Sequence, residues 1–237
     1  MRLSSIRRRL GAARRALLTR SKPEIRSFVF VFTYGRSGST LLMGLLNSIP
    51  GYCIRGENNN AVHSLFTMHQ RIAAARQGSL KNSERPGHPW FGLNRIDPAA
   101  LQRSQRDLVV DEILRPEAHH RVAGFKEIRF SEKEVPDLAA YIDYIQTTFA
   151  PCKIVFNHRR LDNVARSGWW QTMPEALDRL AVMEERFQSI PASDQVYHFS
   201  YDALCADPGY AAGLMAFLGE AYDPAAVTEV MTVRHSY

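Results

Sequence analysis

The chain has 237 residues, 45% of them hydrophobic and 23% charged, which suits one sizeable α/β domain and is short for two. The formal net charge of +6 is uneven: residues 1–26 carry nine Lys and Arg against the single acid Glu24, a surplus of eight, so the rest is net negative by two. That sign argues against nucleic-acid binding. The widely spaced Cys53, Cys152 and Cys205 form no CxxC pair, so neither a zinc site nor a disulfide framework is expected.

Residues 2–20 read as a basic amphipathic helix, with Leu3, Ile6, Leu10, Ala13 and Leu17 at helical spacing and arginines opposite. Such a segment either lies on an anionic membrane surface or packs on its own domain. There is no run of about 18 apolar residues, and Arg14 and Arg15 interrupt residues 10–18. Neither a membrane span nor a cleaved secretory signal is therefore expected. The expected setting is cytoplasmic, with peripheral membrane contact through residues 1–20. Residues 1–26 are set apart as an extension, and residues 27–237 as one domain.

Pro23 closes the extension. Phe28-Val29-Phe30-Val31-Phe32 is a continuous apolar run, the pattern of a strand buried on both faces of a parallel sheet. A glycine loop follows, then a predicted helix over residues 40–46, stopped by Pro50-Gly51. Residues 52–55 suggest a short strand and residues 61–76 a helix. Residues 77–97, rich in Gly, Pro and Asn, read as irregular. A helix is predicted over 98–114, with Leu108-Val109-Val110 also readable as strand. Further strands fall at 121–126, 153–157 and 195–199; further helices at 136–149, 161–170, 174–189, 208–218 and 224–232, with a helical turn at 201–205. Strands alternating with helices predict an α/β fold, a central mainly parallel sheet flanked by helices.

The strand–loop–helix after Phe32 carries the first chemical signal. In Tyr34-Gly35-Arg36-Ser37-Gly38-Ser39-Thr40, Gly35 and Gly38 permit a tight turn and close approach to a ligand. Amides from Ser37 to Thr40 face an anion at a helix N-terminus, Arg36 adds a planar donor fork, and Ser39 and Thr40 add hydroxyls. A triphosphate loop reads G-x-x-x-x-G-K-[ST]; here no glycine stands five residues before Gly38 and no Lys follows it.

The string resembles the 5′-phosphosulfate loop of sulfotransferases that use 3′-phosphoadenosine 5′-phosphosulfate (PAPS), in the R-S-G-S-T form of the glycan-modifying and bacterial branches. The resemblance continues in Lys153-Ile154-Val155-Phe156-Asn157-His158-Arg159 and Asp162-Asn163-Val164-Ala165-Arg166-Ser167. There Arg159 at a strand end and Ser167, eight residues on and about two turns into the next helix, match the family's 3′-phosphate element. Gly124-Phe125-Lys126-Glu127 resembles the G-[FY]-K-E string. Residues 198–204 with Asp207-Pro208 resemble the late Y-E-D-L…D-P string, whose tyrosine, here Tyr201, lies near the adenine. The likeness spans residues 28–208. The late R-K-G loop of cytosolic members is missing; Arg234 or Ser236 stands nearest its place.

The resemblance implies a P-loop NTPase-like sulfotransferase fold and sulfuryl transfer from PAPS, without a metal, to a hydroxyl of a glycan or glycolipid. Gly35, Arg36, Ser37, Gly38, Ser39, Thr40, Arg159, Ser167 and Tyr201 would bind the donor. Arg36 would steady the leaving phosphate, Glu57 would take the acceptor's proton, and Lys126 would contact the transferred group. His63 is a second candidate base. Trp90, Phe91 and the pair Trp169-Trp170 are candidates to stack on sugar faces. Two other readings stay open. One is a P-loop small-molecule kinase, with Leu108-Val109-Val110-Asp111-Glu112 as a Walker B strand and Asp111 for Mg²⁺. The other is a non-catalytic, membrane-peripheral anion binder.

Overall fold

Ser27–Phe32 forms β1, the middle strand of a five-stranded sheet in a computed structural model that describes residues 23–233. Most of the basic extension, including the predicted helix 2–20, and residues 234–237 with Arg234 and Ser236 lie outside the described residues. The other strands are β2 (Tyr52–Arg55), β3 (Val122–Glu127), β4 (Cys152–His158) and β5 (Val196–Ser200), in the order β2-β3-β1-β4-β5 with every pairing parallel.

The continuous apolar run of β1 has a direct cause. Phe28, Phe30 and Phe32 enter one core with Phe125, Phe149, Phe156 and Phe187, while Val29 and Val31 enter the other with Leu42, Leu46 and Val155. Alternate residues face opposite sides of a pleated strand, so a strand covered on both faces shows no alternation. The first core is closed by α2 (Ala61–Ser79), α4 (Leu138–Thr148) and α6 (Ala176–Gln188), with α3 (Pro98–Leu108) seated on α2 where Gln105 Nε2 donates to Leu65 O at 2.8 Å. The second is closed by α1 (Ser39–Asn47), α8 (Ala211–Leu218) and α9 (Pro224–Thr232). α5 (Leu161–Ala165) adds Val164 to the first core, and α7 (Tyr201–Ala206) adds Leu204 to the second. Asp223 caps α9 by accepting from the amides of Ala225 and Ala226, with Pro224 at the first helical position.

Two sequence expectations need correction. Residues 109–114 are neither strand nor α-helix: Val109–Leu114 is a π-helical turn that closes on Arg115, whose amide donates to Val110 O at 2.9 Å. The wider turn brings Val109 and Leu114, five apart, both to zero exposure in the core. Asp111 therefore stands on a helical turn and not at a strand end, which removes the Walker B reading. The helix predicted over 161–170 ends at Ala165. Ser167 is extended (φ −122°, ψ 130°), and Gly168–Thr172 forms a short 3₁₀ turn. Trp170, 7% exposed, donates its indole N–H to Gly35 O at 2.9 Å, and that tertiary bond pulls the chain out of the helix.

Candidate active site

β1 connects to β2 on one side of the sheet and β4 to β5 on the other, so the carboxyl ends of the adjacent β1 and β4 mark the switch point where α/β sheets bind ligands. The loop of residues 33–40 leaves β1 there, and Arg159 follows β4. Thr33 Oγ1 donates to Asn157 O at 2.7 Å and lies 2.7 Å from Ser37 Oγ; Asn157 Nδ2 donates to Ser37 O at 3.1 Å. The Ser37 side chain is thereby fully buried inside the loop, and what it can offer a ligand is its amide alone. Gly38 and Arg36 both adopt left-handed backbone, φ 82° and 67°. Glycine takes this conformation freely; an arginine there is strained, a feature that concentrates at functional sites.

The loop opens onto a cavity of about 370 Å³ whose walls include Arg36, Gly38, Glu57, Lys126, Arg159 and Tyr201. Gly35, Ser39 and Thr40 also border it. The two phosphate motifs meet at Arg36. Its Nε donates to Ser167 Oγ at 3.2 Å, and Arg159 Nη1 donates to Arg36 O at 2.9 Å. Ser167 thus reaches the loop from an extended segment after α5, not from two turns into a helix. Gly168, with φ 59°, makes room for this, since a Cβ there would come 3.0 Å from Arg36 Cδ and Nε. The Arg159 guanidinium lies 4.7 Å from the Tyr201 ring centroid, within cation–π range. Its Nε is buried without a partner. The Tyr201 ring covers Gly38 so closely that an added Cβ would sit 2.1 Å from Cδ2. Burial pushes the Tyr201 hydroxyl above its ordinary value.

Arg159 is held from behind by a network that the sequence did not reveal. Tyr34, fully buried, accepts from the Arg159 amide at 3.0 Å and lies 2.9 Å from Arg159 O and 3.2 Å from Glu184 Oε2. Glu184 Oε1 is 2.9 Å from His158 Nδ1, and His158 Nε2 is 2.8 Å from His198 Nδ1. His198 Nε2 faces Ile190 O at 2.8 Å and must donate to it. Burial holds His198 below its ordinary value, so its Nδ1 accepts from His158 Nε2, and His158 Nδ1 faces the Glu184 carboxylate. For Glu184, burial acts to raise its value, but hydrogen bonds from His158 and Gln188 bring it below the usual carboxylate range.

On the opposite wall, Lys126 at the end of β3 donates to Glu57 Oε1 at 2.5 Å, and Arg129 Nη1 lies 3.2 Å from Glu57 Oε2. Glu127, 1% exposed, accepts from the amides of Asn58 and Asn60 at 3.2 and 3.0 Å and so fixes the turn that carries Glu57. His63 is not in this cavity: its ring packs edge-on against Tyr141 at 5.0 Å, and burial lowers its value. Trp90 and Phe91 border neither this cavity nor a larger one beside it, which Trp169 and Trp170 both line; the Trp170 indole N–H is taken by Gly35 O. Among the described residues, no group of three His, Cys, Asp or Glu side chains is placed to hold a metal ion.

Residues 29–224 match the model of the sulfotransferase family. The chain belongs to that family. Its parallel sheet with helices on both faces and a glycine loop after β1 is the P-loop-like sulfotransferase fold. Solved structures similar to this sulfotransferase include the sulfotransferase domain of the Synechococcus PCC 7002 olefin synthase, 18% identical over 92% of this chain and 82% of that one, TM-score 0.48. A mouse sulfotransferase complexed with PAP is 12% identical over 89% of this chain and 64% of that one, TM-score 0.49. A Mycobacterium tuberculosis sulfotransferase is 17% identical over 96% and 76%, TM-score 0.42. No curated protein matches the chain.

Proposed function

We propose that this sulfotransferase moves a sulfuryl group from PAPS to a hydroxyl of a glycan or glycolipid. The observation that carries the reading is the meeting of Arg159 and Ser167 at Arg36, with Arg36 and Arg159 lining one cavity that Glu57 also borders. The residues present fit the donor. The left-handed turn at Gly38 admits no Cβ, and the partnerless Arg159 Nε is a buried donor suited to an anion. PAPS supplies a sulfuryl group on an activated anhydride. Arg36 and the amides at the start of α1 stabilise negative charge on the phosphate side. Arg159 and Ser167 hold the 3′-phosphate, and Tyr201 packs beside the adenine. Glu57 accepts the acceptor's proton, a contribution of roughly 10²–10⁴-fold in rate, and Lys126 orients it. The glycan-type form of residues 36–40 supports the acceptor class.

The test uses the full chain, radiolabelled PAPS and a panel of hydroxylated acceptors. Sulfate transfer is expected, together with thermal stabilisation by 3′-phosphoadenosine 5′-phosphate (PAP) of a few kcal/mol at 100–1,000 times its Kd. Glu57→Gln should lower transfer without lowering PAP stabilisation. Stabilisation by Mg-ATP alone would favour the kinase reading. Ile25 packs on the first core and Arg26 N donates to Arg121 O at 2.8 Å, so the expected boundary at residues 26 and 27 moves towards the N-terminus; we further infer that residues 1–20 form an arm that rests on anionic lipid. In a vesicle arm of the same experiment, deleting residues 1–22 should abolish sedimentation with phosphatidylserine vesicles.

A further inference from the structure

A second, larger cavity of about 830 Å³ adjoins the first. The two share Gly35, Ile128 and Trp169 as common walls. Its volume lies in the range of about 300–1,000 Å³ that small-molecule ligands occupy. Trp170, Met173, Val182 and Met183 supply its remaining apolar wall. These come from elements far apart in sequence. Ile128 and the segment after it follow β3, Trp169 stands on the 3₁₀ turn after α5, and Val182 and Met183 lie on α6. Trp169 and Val182 are 47% and 43% exposed, so apolar surface faces solvent at this spot.

Part of the polar wall is already committed, and the rest stands at the exposed rim. Arg129 is held by Glu57 and Glu127, and Glu134 Oε2 accepts from Ser131 N and Oγ at 3.3 and 2.8 Å. Arg179 Nη1 lies 3.6 Å from Met173 Sδ. Glu132 and Lys133 are exposed at the rim. A free saccharide seated here would find partners at the rim, but the hydroxyls it laid against Trp169, Met173, Val182 and Met183 would have none, which costs free energy for each buried group. An apolar body would gain by covering the indole and the methionines.

We propose that the acceptor is an alcohol carrying an extended apolar body, which fills this cavity while its hydroxyl passes Ile128 and Trp169 towards Glu57 and Lys126. The inference rests on the sulfotransferase reading of the smaller cavity and narrows it: the lipid-bearing acceptor is the substrate, and the free glycan is not. Val182 is then a specificity-determining residue. It stands on the solvent side of α6, so replacing it does not open the core.

The experiment measures transfer of labelled sulfate from PAPS to 1-alkanols and alkyl β-D-glucosides of four to ten carbons, with glucose and free oligosaccharides alongside. The expected KM falls about fourfold per added methylene until the cavity is filled. Val182→Glu should raise KM for the longest members at least tenfold, while Val182→Leu restores it and PAP stabilisation persists in both. Transfer confined to free saccharides, or absent from every alkyl-bearing alcohol while PAP still stabilises the chain, overturns this inference and leaves the donor site standing. Failure of PAP to stabilise, with no transfer to any alcohol, removes both.

Discussion

Arg36 does two jobs with one side chain and one strained backbone. Its left-handed φ of 67° turns its carbonyl to Arg159 while its Nε reaches Ser167. For a residue with a Cβ that conformation costs about 1–2 kcal/mol. Alanine bears the same Cβ, so Arg36→Ala keeps the strain and removes the guanidinium alone. Transfer should fall by about 10²–10³, the usual effect of losing a charge-stabilising donor, with the urea midpoint little changed. Arg159→Ala differs, because Arg159 also ties down the Arg36 carbonyl. It should weaken PAP roughly ten- to a hundredfold, the scale of hydrogen bonds to charged groups, and slow transfer as well. Titration calorimetry with PAP decides this: an unchanged Kd in Arg159→Ala would remove Arg159 from the donor site. The identities of both arginines were readable because motif and spacing lie within single segments. That Arg159 reaches the Arg36 carbonyl was not, because residues 36 and 159 meet only through the pairing of β1 with β4.

At the scale of elements, what the sequence disclosed depended on where each signal came from. The β1 run and the Asp223-Pro224 start of α9 are local: burial on both faces writes one, and capping chemistry the other. The end of α5 at Ala165 is set by the Trp170 indole on Gly35, and within residues 161–170 only Gly168, with its φ of 59°, hints at it. The larger cavity is likewise assembled from three distant segments. Between these extremes stands the junction of the loop with α1. Gly38 announces a turn in sequence, but its closeness to Tyr201 comes from α7 across the cavity. Gly38→Ala therefore meets two costs. The backbone term is about 1–2 kcal/mol, and the Cβ must displace the Tyr201 ring from 2.1 Å. Adding Tyr201→Ala removes the second cost and leaves the first. Chemical denaturation should show a large loss for Gly38→Ala and partial recovery of the loop in the double variant relative to the two single changes. A Gly38→Ala chain as stable as the parent would mean that the turn at residues 36–38 is not as described.

Across the whole molecule, the sheet order sets where charge is stored. Placing β5 beside β4 brings His198 against His158, and α6 closes over them with Glu184. On the far side of the sheet's centre, α2 seats His63 against Tyr141. Burial holds both His63 and His198 below the ordinary 6.5, so folding favours their neutral forms. A group depressed on folding stabilises the native state fully above its unfolded value and loses that contribution as pH falls through its folded value. The native chain should thus be most stable above about pH 6.5 and weaken on the acid side. Glu184, held below 4.5, adds a second loss at lower pH in the same direction. For His198 the loss is structural as well as electrostatic. A second proton on Nδ1 would face the proton that His158 Nε2 already donates, and the bond at 2.8 Å would break. Urea midpoints measured at pH 7.5, 6.0 and 5.0 should fall in that order, and His198→Gln, which keeps a donor for Ile190 O but cannot take up the proton, should flatten the fall. A midpoint that is level or rises from pH 7.5 to 5.0 would show that these histidines are not buried as the fold places them, and with them would go the support behind Arg159.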